Sequence, residues 1–205
     1  MSSKMLKIQQ NKIRKLVASV QQEIVGEVKA DISAIGSDPS NMQGTCILLA
    51  DKLNRRLIDN GINSRFVGGK ATFGINTERF GVVDFGYEHS DTDSARMESL
   101  YSDGSAAVEG MTFFGHAWVE CKKAELLIDL SLLFLKSSYD KDNTNRGLHT
   151  QPYKLDESKV ILEKEELTTR TAIIDGMVGY SYSSSAQVRD EALKRLALIE
   201  QHLSK

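Results

Sequence analysis

Gly44-Thr45-Cys46-Ile47-Leu48-Leu49-Ala50-Asp51-Lys52-Leu53-Asn54-Arg55-Arg56-Leu57-Ile58-Asp59-Asn60-Gly61 is the stretch on which the reading of this chain turns. Cys46, Leu49, Ala50, Leu53 and Leu57 fall on one face of a helix running from about Thr45 to Asn60. Asn60-Gly61 is its stop signal. Cys46 therefore occupies the first turn of the helix, where backbone N–H groups have no intrahelical partner and the dipole favours a thiolate over a thiol. The small residues Gly44 and Thr45 before it leave room for a substrate to approach.

Downstream of this helix the pattern changes to period two. Ser64 to Ile75, with Gly68, Gly69 and Gly74, reads as a strand, and Phe80 to Tyr87 as its neighbour. Met111 to Cys121 is a further strand. Alternation puts His116, Trp118 and Glu120 on one face and Ala117, Val119 and Cys121 on the other. Cys121 thus reads as the core cysteine. Lys122-Lys123 makes a turn into a strand over Glu125 to Leu130, where Asp129 interrupts the apolar run Leu126-Leu127-Ile128. A charged carboxylate there is costly unless it is paired. It can cap the next turn through Ser131, or it can bond to His116 Nδ1, which antiparallel pairing of the two strands would bring near.

The flanks are helical. Ile8, Ile13, Leu16, Val17, Val20, Ile24, Val28 and Ile32 form a stripe over residues 3 to 35, one long helix or a helical pair. That stripe could pack on the domain or serve as a homodimer contact. Gly36 to Asn41 is a loop by composition. Residues 88–110, polar and acidic, read as an insertion, with a short helix over Ser94 to Leu100, that could form a lid. Its carboxylates lack ligand spacing and read as solvated surface, with Asp91, Asp93 and Asp103 a weak signal for calcium. Leu132 to Leu135 begins a short helix, and Lys136 to Lys154 reads as a polar loop. Lys159 to Leu162 is a weak strand, Gly176 to Ser185 a strand or loop, and Gln187 to Ser204 a closing amphipathic helix with Val188, Leu193, Leu196, Leu198 and Ile199.

The chain has 205 residues, enough for one domain with a sizeable core. Hydrophobic residues make up 40% and charged residues 26%, an ordinary balance for a soluble globular protein. A net charge of -2 gives nucleic acid nothing to recognise through bulk electrostatics. No apolar run approaches the roughly 18 residues of a membrane span. Met1 to Gln10 has lysines but no apolar segment after it, so it does not read as a secretory signal. A cytoplasmic location is expected, with signal-independent export left open. Two cysteines in a chain of this kind are expected to be reduced, and no CxxC, HxxxH or HExxH spacing suggests a metal. No cofactor is expected.

Taken with their order, the residues resemble the transglutaminase-like superfamily, a branch of the papain-like cysteine enzymes. Three blocks carry the resemblance. Gly44-Thr45-Cys46 with Ala50, Leu53 and Leu57, leading into Gly61-Ile62-Asn63-Ser64-Arg65-Phe66-Val67-Gly68-Gly69, looks like the cysteine helix and its following strand. His116-Ala117-Trp118-Val119-Glu120 looks like the histidine strand, and Leu127-Ile128-Asp129-Leu130-Ser131 like the aspartate strand. The resemblance spans about 43–132.

It implies an α+β fold with a papain-like core, the cysteine helix packed on an antiparallel sheet. A long N-terminal helical extension (1–36) and a C-terminal part (137–205) ending in a helix would complete a single domain, 1–205. Cys46 would be the nucleophile, His116 the general base and Asp129 the orienting residue. The long acidic interval between Gly69 and His116 departs from the family pattern, as does the lack of an aromatic residue beside Cys46.

An oxyanion would be met by the N–H of Cys46, with Gln43 or Asn41 as second donor, and Trp118 lies on the His116 face towards substrate. The expected activity is thiol-dependent acyl transfer, most simply a cysteine peptidase or amidase acting on a peptide or protein amide. Two alternatives stand beside it: a catalytically silent binding module of the same fold, and a transglutaminase or N-acyltransferase with an amine acceptor.

Overall fold

The long stripe at the N-terminus forms one helix, α1 (Ser3–Ala34), capped by the Ser2 hydroxyl. Ile13, Val17, Ile24, Val25, Val28 and Ile32 are buried along it, each burial stabilising by roughly 1.5–3 kcal/mol. They pack on the cysteine helix, α2 (Cys46–Asp59), and on a 3-10 turn at Lys122–Ala124. Arg56 reaches Glu23 and Glu27, both at 2.6 Å, and Lys52 reaches Asp31 at 2.9 Å, which fixes the register of α1 on α2. The part of the stripe from Ile13 to Ile32 is thus covered by the chain itself, while Met5 and Ile8 stay exposed. We identified these contacts in a computed structural model that describes residues 2–40, 42, 45–76, 81–85, 115–145, 154–156 and 158–204.

The protein is α+β, built on an antiparallel sheet. The strands are β1 (Arg65–Asn76), β2 (Gly81–Phe85), β3 (His116–Cys121), β4 (Leu126–Ile128), β5 (Ile161–Glu163) and β6 (Gly179–Ser184). Their order is β2-β1-β3-β4-β5, with β6 also paired to β1. Further helices are α3 (Leu135–Asn145), α4 (Arg170–Ile174) and α5 (Ala186–Leu203). Helix α2 packs on β3, and α5 lies against β1 at Gly68, where a Cβ would come within 2.5 Å of the Arg189 backbone.

The sheet's register decides what meets the site. Gly69 pairs with His116, Val67 with Trp118, and on the other partner Ala71 with Tyr182 and Phe73 with Tyr180. Directly paired residues point to one face. His116, Trp118, Tyr180, Tyr182, Phe73 and Phe85 therefore share a face of the sheet. Gly69 lets β6 and the Trp118 ring approach β1 closely: a Cβ there would sit 2.0 Å from the Ser183 carbonyl oxygen and 2.7 Å from Trp118 Cη2.

Three expectations change. Lys136 to Asn145 is not loop but most of α3, because Leu135 and Tyr139 are buried and the Lys136–Asp140 pair at 3.2 Å spans one turn. The strand before Asp129 stops at Ile128, and Asp129 caps a 3-10 helix over Leu130–Phe134. The undecided 176–185 segment is strand from Gly179, fully paired to β1. Asn41, Gln43, Gly44, the 88–110 insertion with its proposed helix, Asp91, Asp93, Asp103 and the strand segment 111–114 lie outside the described residues.

Candidate active site

The cysteine helix begins at Cys46 itself. Thr45 holds the capping position, but its hydroxyl donates backwards to the Met42 carbonyl at 2.7 Å and does not cap the helix. Among the described residues no side-chain cap takes up the N–H groups at the start of α2, the end of the helix that carries the thiol. The Cys46 thiol sits 4.0 Å from the Gly115 carbonyl oxygen, a long contact that places it next to the start of β3 and so next to His116.

His116 and Asp129 form a buried pair. The Nε2–H of His116 donates to Asp129 Oδ2 at 2.6 Å, and each side chain is 1% exposed. Among the described residues the Asp129 carboxylate accepts four bonds. Tyr182 OH donates to Oδ2 at 2.7 Å. The backbone N–H of Ser131, at 3.0 Å, and its hydroxyl, at 2.5 Å, donate to Oδ1. The cap and the histidine partner expected as alternatives for this aspartate are both present, one on each oxygen. A carboxylate offers about four lone-pair sites, so this one is full.

The nitrogen assignments differ from expectation. Asp129 takes Nε2, not Nδ1, because β3 enters the site at His116 and presents the ring with Nε2 towards the turn after β4. That leaves Nδ1, which is buried and has no hydrogen bond of ordinary geometry among the described residues. Cys46 is nevertheless near enough to affect the ring's charge.

Electrostatics reinforce the pair. Burial alone would lower the His116 pKa; the Asp129 charge and hydrogen bond, followed by Cys46, outweigh it and raise the value from 6.5 to about 10. Burial likewise pushes Asp129 up, but His116, Ser131 and Tyr182 hold its carboxyl below the ordinary range. The pairing through Nε2 thus favours the charged form of His116, next to the residue whose carbonyl Cys46 touches. Cys121 is different: burial pushes its thiol up to about 11, and it lies on the opposite face of β3.

An aromatic wall surrounds the imidazole. Phe85 lies 5.3 Å from it, tilted, Phe73 lies 6.0 Å away edge-on, and Trp118 stacks at 6.2 Å. Trp118 is 1% exposed and donates from Nε1 to Glu120 at 3.3 Å, so it backs the histidine. Cys46 is 7% exposed, which leaves only a narrow approach to sulfur among the described residues. The same residues contain no cluster of His, Cys, Asp and Glu fit to hold a metal ion, and no helix long and apolar enough to cross a membrane.

No protein-family model and no curated protein matches the chain. Among solved structures, a crystal structure described only as a genomics target aligns over 89% of this chain and 76% of its own, at 13% identity and a TM-score of 0.42. A likeness at that level carries nothing about what this chain does.

Sequence reasoning singled out Cys46, His116 and Asp129, and all three meet here. It missed Tyr182 and Phe85. The signal for Tyr182 was the alternation Tyr180-Ser181-Tyr182-Ser183, the pattern of a half-buried strand.

Proposed function

We propose that this protein is a thiol-dependent acyl-transfer enzyme with a papain-like, transglutaminase-like core, and that it hydrolyses a peptide or protein amide. The observation that carries the reading is the His116 ring. One nitrogen is bonded to a buried carboxylate, and the other has no hydrogen bond among the described residues and lies near a cysteine in the first turn of a helix.

In the reaction, Cys46 Sγ attacks the carbonyl carbon as a thiolate paired with the His116 imidazolium. The C–S bond forms, the carbonyl π pair moves to oxygen, and the N–H of Cys46 stabilises that oxyanion, with Gln43 or Asn41 as second donor. As the C–N bond breaks, the Nδ1 proton of His116 passes to the leaving amine. A thioester remains. Water then attacks it, giving its proton to Nδ1, and the acid leaves as the C–S bond breaks. Asp129 keeps its charge throughout and holds the imidazole in register.

The test is covalent trapping. The protein, incubated with an activated aryl ester and examined by intact-mass spectrometry, should gain one acyl group on Cys46. Cys46→Ala should gain none, and His116→Ala should react far more slowly. Adding a primary amine separates the two outcomes of the thioester: unchanged release means hydrolysis, and an amide product means transfer.

A second reading, a silent binding module, draws on the 7% exposure of Cys46. It predicts no adduct under any of these conditions.

A further inference from the structure

Strand β6 comes from the C-terminal part of the chain and pairs with β1 so that Tyr182 stands opposite Ala71. Its hydroxyl reaches the same carboxylate oxygen that His116 uses, at 2.7 Å against 2.6 Å. The ring is held independently, 5.1 Å from Trp118 and 5.7 Å from Phe73, both edge-on. Asp129 does not need the tyrosine to fix its orientation, because Ser131 already binds the other oxygen twice.

We propose that Tyr182 is a positioning residue of the same site, whose hydroxyl, by sharing Oδ2 with His116, sets how tightly Asp129 holds the imidazolium proton. The inference rests on the Cys46–His116 reading above. An acceptor oxygen that serves two donors gives each a weaker bond, and a donor to a carboxylate lowers its proton affinity. Without the phenol, Asp129 would hold His116 too firmly for the ring to pass its proton on. The groups that bear on this balance are Cys46 from α2, His116 from β3, Ser131 after β4, and Tyr180, two residues along β6. The C-terminal part of the chain thereby gains a role in the chemistry.

The experiment is a pH titration of the His116 ring by NMR in the full chain, for wild type and Tyr182→Phe, with Tyr180→Phe as control. The change to phenylalanine keeps the ring contacts and removes only the hydroxyl. The expected result in Tyr182→Phe is a midpoint raised by roughly one pH unit, the size of a hydrogen bond to a charged group, with the Nε2–H resonance moved downfield. Tyr180→Phe, which leaves the Tyr182–Asp129 hydrogen bond in place, should move the midpoint far less than Tyr182→Phe. A fluorinated tyrosine at position 182, a stronger donor in the same space, should move the midpoint down.

A perturbed wild-type midpoint that neither change at position 182 moves, even if melting temperature falls, would overturn the tyrosine inference alone. A wild-type His116 that titrates like a free imidazole would overturn the Cys46–His116 reading and this inference with it.

Discussion

Replacing Asp129 with asparagine keeps the shape of the side chain and removes two of its four acceptor sites. Asparagine offers one oxygen and one NH2. If the oxygen faces Ser131, the NH2 faces His116 Nε2 and Tyr182 OH, which now donate into it. The tyrosine hydroxyl can rotate. The imidazole can comply only by carrying its proton on Nδ1, the nitrogen beside Cys46, and then it cannot take a proton from the thiol. If the amide flips, the Ser131 N–H loses its acceptor and the turn after β4 loses its cap.

Either way a buried, charge-paired contact is broken, at about 3–5 kcal/mol. For a chain of this length each kcal/mol moves the melting temperature by roughly 2–4 °C, so a fall of roughly 6–20 °C is expected. Circular dichroism at neutral pH measures it, and the rate of Cys46 alkylation by iodoacetamide should fall in the same variant. Ser131→Ala, which removes one bond and leaves the charge, should cost much less. An Asp129→Asn protein that melts with wild type would refute the buried carboxylate as a partner of His116.

Gly69→Ala should destabilise by roughly 1–3 kcal/mol, the range for overpacking, because the new methyl meets the Ser183 carbonyl and Trp118; denaturant melts give the value, and an unchanged midpoint would mean that β6 does not pack on β1 as closely as described. The stability gap between wild type and Asp129→Asn should depend on pH with a definite sign. The His116 share is fully present below its unfolded value of 6.5 and is lost as pH rises through about 10. The Asp129 share is present above 3.8 and is lost as pH falls through its lower folded value. The gap should therefore be widest between those limits and narrow on both sides, and a gap constant from pH 5 to 11 would count against the ion pair. Cys121, whose thiol burial pushes up to about 11, should resist alkylation in the folded protein at neutral pH; peptide mapping that finds it modified as fast as Cys46 would contradict the assignment of the two cysteines to different faces.

How far the sequence was legible depended on distance along the chain. Cys46, His116 and Asp129 could be read because each carries a local signature: a first helical turn, a strand alternation, a charge inside an apolar run. His116 and Asp129 meet through antiparallel pairing of β3 and β4 across a short turn, and Cys46 joins them because α2 packs on β3. Tyr182 could not be assigned in the same way. It lies 53 residues from Asp129, and its partner on β1 is set by a register that no local pattern contains. Helix α3 was hidden by composition, since Ser137, Ser138, Asp142 and Asn143 favour turns, and only the burial of Leu135 and Tyr139 outweighs that preference. The nitrogen of His116 that faces Asp129 depended on ring orientation, which alternation along a strand does not fix.

In the proposed enzyme Cys46 and His116 act as one unit. This is tested most directly by the pH dependence of Cys46 alkylation by iodoacetamide in a Cys121→Ser background, with and without His116→Ala. Iodoacetamide should modify Cys46 rapidly at neutral pH, and His116→Ala should slow that reaction markedly. A profile like that of a free thiol, the same with and without His116, would contradict it.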